Sequence, residues 1–249
     1  MFLDAELIEA FEPASVGGSK PSKVKAGAEA IYSIPESRRL SLDTLKNITI
    51  HFFVERALIS SAMLASNDGP ADLQRVKASV QELSKLFKFE FRFRADATFE
   101  EIYQQTLTSM QELSEVVVGE DAISPGSGHD GWSGSEWLET YAAMLRSFLE
   151  GYRIVARSLE ALLAGPMNEK DFTKKALATG NVMYLAGEVS RREAVSKSLV
   201  SNALSTFADQ RVVSRSDKKL SLTETYLQRD VLVELENTIV HYLEREAHA

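Results

Sequence analysis

The chain has 249 residues, of which 44% are hydrophobic and 26% charged, enough apolar surface for a core held without disulfides or metal. It contains no cysteine, which excludes disulfide staples, thiolate zinc sites and a cysteine nucleophile, and its formal charge of -8 disfavours non-specific attraction to nucleic acid or anionic lipid. No apolar run reaches the roughly 18 residues needed to cross a bilayer, and an acidic start carrying Asp4, Glu6, Glu9 and Glu12 is unlike a secretion signal.

Residues 1–27 read as an arm: a short acidic helix from Leu3 to Phe11, then a linker around Gly17-Gly18-Ser19-Lys20-Pro21. Ala28 to Ile34 reads as extended and Pro35 closes it. Ser41 or Asp43 then caps a helix, apolar on more than one side, that runs to about Ser66 before Asn67-Asp68-Gly69-Pro70 breaks it. A second helix opens at Pro70 and runs to about Leu86, with Leu73, Val76, Val80, Leu83 and Phe87 three or four apart. From Lys88 to Arg94 charge alternates with phenylalanine, the period of a strand with one buried face. Thr98 or Asp96 caps a third helix ending near Glu115, with Phe99, Ile102, Thr106 and Met110 on one side, and Val116 to Ile123 forms a hairpin around Gly119-Glu120-Asp121.

The loop at 124–135, rich in glycine and serine, divides the chain into 28–123 and 136–249. After it comes the clearest helix, from Trp137 through Tyr141, Met144, Phe148, Tyr152, Val155 and Leu159 to Leu162, ended by Gly165-Pro166. Gly151 weakens that helix by about 1 kcal/mol relative to alanine, which points to a close approach of another helix there. Helices follow at Glu169–Val189 and Arg191–Asp209, then strands Gln210–Ser214 and Lys219–Thr223 turning on Ser216-Asp217. A last helix from Glu224 to the end buries Leu227, Val231, Leu235, Ile239 and Tyr242. No repeat of fixed period is visible. The fold class is mainly α, a multi-helix domain over 28–249 with one or two short β-hairpins, winged-helix-like near the C-terminus.

Several segments carry a resemblance. They are Ile31-Tyr-Ser-Ile-Pro35 leading into Arg39-Leu-Ser-Leu-Asp43, then Lys46-Asn47 and His51-Phe52, then Leu83-Ser-Lys-Leu-Phe-Lys-Phe-Glu-Phe91. Further on come Leu145-Arg-Ser-Phe-Leu-Glu-Gly-Tyr152, Tyr184-Leu-Ala-Gly-Glu188 and Ala194-Val-Ser-Lys-Ser-Leu199. In this order, from about Ala28 to Leu243, the chain resembles the helical region downstream of the catalytic domain in the bacterial-type glycerol-3-phosphate acyltransferases.

The resemblance implies a part in making lysophosphatidate from glycerol 3-phosphate and an acyl thioester. That family's catalytic signature separates a histidine from an aspartate by four residues, so that the carboxylate orients a general-base imidazole. Here Arg56 stands at the aspartate position for His51, Gly134 for His129 and Glu246 for His241, while His248 is too near the end. The resemblance therefore implies a non-catalytic accessory region, with no catalytic residue, cofactor or metal of its own. Its expected partner is an acyltransferase catalytic domain or chain, in the cytoplasm and with peripheral contact to the inner membrane. Lys46, Asn47, His51, Phe52, Glu150 and Tyr152 are the candidate interface residues. The alternatives are a stand-alone helical scaffold, or a winged-helix nucleic-acid binder using Lys197, Arg211, Arg215, Lys218 and Lys219; the acidity of the chain argues against nucleic acid.

Overall fold

The computed structural model describes residues 9–11, 31–35, 38, 42, 49–66 and 70–243, and the chain divides into two compact units, Met1–Ile50 and His51–Ala249. In the first unit β1 (Glu9–Phe11) pairs antiparallel with β2 (Ile31–Ser33), Glu9 opposite Ser33 and Phe11 opposite Ile31. The acidic helix expected to reach Phe11 is thus a strand at its described end. Helices shorter than about 12 residues are marginal in isolation, and β2 supplies the backbone partners that so short a helix could not hold. The extended segment before Pro35 is as expected, while the caps expected at Ser41 and Asp43 lie outside the described residues.

Seven α-helices are described in the second unit. A 3-10 turn at Ile50–Phe52 leads into α1 (Val54–Ala65), which buries Val54, Ala57 to Met63 and so most of its circumference. A helix apolar all round belongs inside a bundle. Next come β3 (Ala71–Asp72) and α2 (Leu73–Leu86), whose cap is Asp72, accepting from the Arg75 N–H at 2.7 Å. Pro70 therefore precedes a strand instead of opening the helix. The strand expected at Lys88–Arg94 is absent: the N–H groups of Glu90 and Phe91 donate to the Phe87 carbonyl at 2.9 and 3.1 Å. Phe87 and Phe91 both lie edge-on to Phe148, with ring centroids 6.3 and 5.0 Å away. The alternation concealed a pair four residues apart, which is the spacing of a turn of helix.

A capping box of Thr98 and Glu101 starts α3 (Phe99–Glu112). Its buried stripe is Tyr103, Leu107 and Met110, flanked by half-buried Phe99, Ile102 and Thr106. The expected hairpin forms from β4 (Val116–Val118) and β5 (Ala122–Pro125), and β3 joins it in a sheet of order β3-β5-β4. A second capping box, Ser133 with Glu136, starts α4 (Gly134–Ser158), which runs on as a 3-10 segment to Ala164. This helix is the axis of the unit and packs on α1 and on three later helices: α5 (Glu169–Leu185), α6 (Lys197–Asp209) and α7 (Arg229–Val240).

Ser196 caps α6 by accepting from Leu199 N–H, so the expected helix at Arg191–Asp209 begins only at Lys197 and is preceded by a 3-10 turn at Arg192–Ala194. β6 (Met167–Asn168), β7 (Val213–Ser216) and β8 (Lys219–Leu222) form a second sheet, β6-β8-β7. The tight loop is Asp217-Lys218, one residue later than expected; both have positive φ, 49 and 62°, as a two-residue hairpin loop of the primed type requires. In α7 the buried residues are Leu232, Glu236 and Ile239, while Leu227 is 56% exposed. Of the expected stripe Ile239 is buried and Val231, Leu235 and Tyr242 are half-buried, the helix being turned far enough to bury the Glu236 carboxylate as well.

The two halves of this unit repeat one plan, which corrects the absence of any visible repeat. Each half runs helix, strand, helix, helix, hairpin, and in each the first strand pairs with the last: Ala71 with Ile123, Met167 with Leu220. Within the hairpins Val118 faces Ile123 as Arg215 faces Leu220. Leu73 N–H donates to Asp121 O at 2.9 Å, and Glu169 N–H to Lys218 O at 3.1 Å. Just before each hairpin a non-glycine residue turns left-handed, Ser114 at φ 59° and Arg211 at φ 58°, a rare conformation for such residues. The winged-helix-like arrangement expected once, near the C-terminus, therefore occurs twice.

Candidate functional site

Of the candidate interface residues, Lys46 and Asn47 lie outside the described residues. His51 is exposed, edge-on to Phe91, and Phe52 is 78% exposed. Glu150 and Tyr152 are buried on α4; two residues apart on a helix, they face different neighbours. The Glu150 carboxylate accepts from Ser190 N–H at 2.9 Å, Ser190 O–H at 2.8 Å, Arg191 N–H at 2.8 Å and Arg146 Nε at 3.2 Å, fixing the turn between α5 and α6. The Thr206 hydroxyl donates to the Leu86 carbonyl at 2.9 Å, and its oxygen lies 3.2 Å from the Tyr152 phenol. Burial pushes that phenol well above its usual range.

Beside Tyr152 lies Glu90, in the turns after α2. Burial pushes its carboxyl up to about 7, against the lowering effect of hydrogen bonds from Asn202, at 2.9 Å, and from Tyr152. Its Oε1 is buried and has no hydrogen-bond partner.

A charged cluster gathers around Glu115, whose side chain is fully buried where β4 begins. Tyr141 of α4 donates to Glu115 at 2.6 Å, His129 Nε2 lies 3.3 Å from the same oxygen, and Arg56 Nε of α1 lies 3.4 Å from the other. Arg56 also donates to Ser109 at 2.7 Å. On its far side His129 Nδ1 meets Asp130 at 3.0 Å, and the ring stacks on Trp137 with centroids 4.5 Å apart. Asp130 first, then Glu115, holds the imidazole above the usual histidine range. Both ring nitrogens of His129 are engaged by carboxylates, so the cluster pins the 126–132 loop to α1 and α4. Sequence spacing could not have found it, because its members are scattered from residue 56 to 141; Arg56, the residue at the aspartate position for His51, is committed to Glu115. Among the described residues no three histidine or acidic side chains converge as metal ligands do.

A cavity of about 220 Å³ opens between α1, α2, the connector after α2, and α3. Its walls are apolar, from Leu58, Ile59, Val80, Phe93, Phe99 and Ile102, and Glu55 and Arg94 also line it.

The family model described as the glycerol-3-phosphate acyltransferase C-terminal region matches residues 9–216. The chain belongs to that family. It is 29% identical over 198 residues to proteins named "Putative acyltransferase plsB1" from Mycobacterium bovis and from two strains of Mycobacterium tuberculosis. That similarity covers 77% of this chain and 31% of each relative, so the chain spans about a third of the length of the curated relatives it matches. No helix among the described residues is long and apolar enough to cross a membrane.

Proposed function

We propose that this glycerol-3-phosphate acyltransferase C-terminal region is a non-catalytic support for acyl transfer to glycerol 3-phosphate, working against a catalytic domain that carries the chemistry. The observation that carries the reading is the family match over 9–216 in a sequence where no histidine has an aspartate five residues later. The pairing of His129 with the Glu115 and Asp130 carboxylates supports it too, being consumed in holding a loop. The apolar faces of α1 and α4 are spent on each other and on α5 to α7, while Phe52, Val182 and Leu185, exposed by 78, 65 and 84%, are the most exposed large apolar side chains among the described residues and are offered to a partner.

The test is an assay of the purified chain with glycerol 3-phosphate and a long-chain acyl thioester, alone and with an acyltransferase catalytic domain. The chain alone is expected to yield no lysophosphatidate. It is expected to co-elute with the catalytic domain, with binding weakened at least tenfold by Leu185→Glu. Turnover by the chain alone would overturn the non-catalytic reading; failure to associate would overturn the supporting role.

A further inference from the structure

We infer that the cavity between α1, α2 and α3 is a binding site for one aliphatic chain that carries an uncharged polar head. The duplicated plan supplies an internal control. At the same place in the second half the space is closed: a Cβ on Gly151 would meet Leu199 Cδ1 at 2.8 Å, and one on Gly180 would meet Ile154 and Val195 at 3.0 and 3.1 Å. Ile154, Met183, Val189 and Ala194 fill what remains as a packed cluster. Glu55 and Ser84 stand 96 residues before those two glycines, and both line the cavity. The cavity is therefore a property of the first half and not a by-product of the shared architecture, since the equivalent space in the second half is filled.

Size and charge select the occupant. An apolar cavity of roughly 150 Å³ already admits benzene, whereas whole drug-sized ligands fill roughly 300 to 1,000 Å³; about 220 Å³ suits one end of an alkyl chain. The guanidinium of Arg94 is engaged by Asp96 at 3.2 and 3.0 Å and by Gln105 at 3.1 Å. With Glu55 and Asp96 flanking one arginine, the cavity offers an anionic head no free cation. The hydroxyls of Ser84 and Thr106 donate to carbonyls of their own helices at 2.8 Å, keeping lone pairs to accept with, and the buried Tyr103 phenol has no partner. A neutral hydroxyl head matches these groups, and a carboxylate does not.

The inference is independent of the supporting role, because its test needs neither a catalytic domain nor turnover. Methyl-labelled full chain is titrated with 1-octanol and, separately, with octanoate. Octanol is expected to shift the methyl signals of Leu58, Val80 and Ile102 and to bind at least tenfold more tightly than octanoate. Ala97→Met, from the connector after α2, and Ser84→Met, from α2, are each expected to weaken octanol binding at least tenfold without lowering the melting temperature. Absent shifts, shifts confined to other methyls, equal or tighter binding of octanoate, or undiminished binding in folded variants would overturn the inference. Should both variants unfold, the location and head-group preference of the wild-type shifts still decide it.

Discussion

The phenol of Tyr141 donates at 2.6 Å to a carboxylate, Glu115, that no water reaches. Hydrogen bonds to buried charges contribute about 1.5–3 kcal/mol, so Tyr141→Phe is expected to lose that much, read from the urea unfolding midpoint. Glu115→Ala is expected to lose more, about 3–5 kcal/mol, because it strands Arg56 and His129. A Tyr141→Phe protein within about 0.5 kcal/mol of the parent would show that the bond contributes little.

His129 supplies a pH dependence. Its folded value lies above its ordinary one, with Asp130 the larger cause and Glu115 the next. The stabilisation is therefore complete below the ordinary histidine range and is lost as pH rises through the elevated folded value. The stability difference between parent and His129→Gln should shrink steadily from pH 5.5 to 8.5; a difference that grows over that range would contradict the assignment.

Glu90 behaves with the opposite consequence for mutation. Its carboxyl is raised from 4.5 to about 7, mainly by burial, so the folded state binds a proton that the unfolded state has released. Stability falls as pH climbs between those values, and Glu90→Gln removes the penalty. The variant should match the parent near pH 4 and exceed it at pH 8 by at most about 3 kcal/mol. Denaturant titrations at the two pH values decide this.

The carboxylate of Glu236 ties α7 to α4, accepting from Arg153 Nε at 3.0 Å and from Arg157, which is bridged in turn to Glu188 at 3.1 Å. Burial of Glu236 and partial exposure of Arg157 place the cost of Glu236→Ala at about 2–4 kcal/mol. Amide exchange in 229–240 should accelerate before exchange elsewhere. The exposed pair of Arg229 with Glu160, at 3.3 Å, is the contrast: Arg229→Ala should change stability by under about 0.5 kcal/mol.

The helices were legible because local chemistry and burial agree in them. Thr98 with Glu101 caps α3 as expected, and Gly151 lies against Leu199 as its place in a helix implied. Departures arose where tertiary partners overrode periodicity: Glu236 is buried by two arginines, and Phe87 with Phe91 by a shared contact on Phe148. The Glu115 cluster was invisible because pairings across 26 and 59 residues leave no local pattern. The duplication did leave a trace, Gly69-Pro70 and Gly165-Pro166 standing 96 residues apart, each soon followed by a capping Asp72 or Asn168. Two dipeptides in unlike surroundings are too sparse to be read as a period.

The long helix α4 leans its early turns on α1 and lends its later ones to the second copy, so the two copies own it jointly. A protease cut or a cloning boundary placed anywhere inside 134–158 would orphan both sides at once. On heating, the pair should come apart in a single step, however independent their matching blueprints make them look.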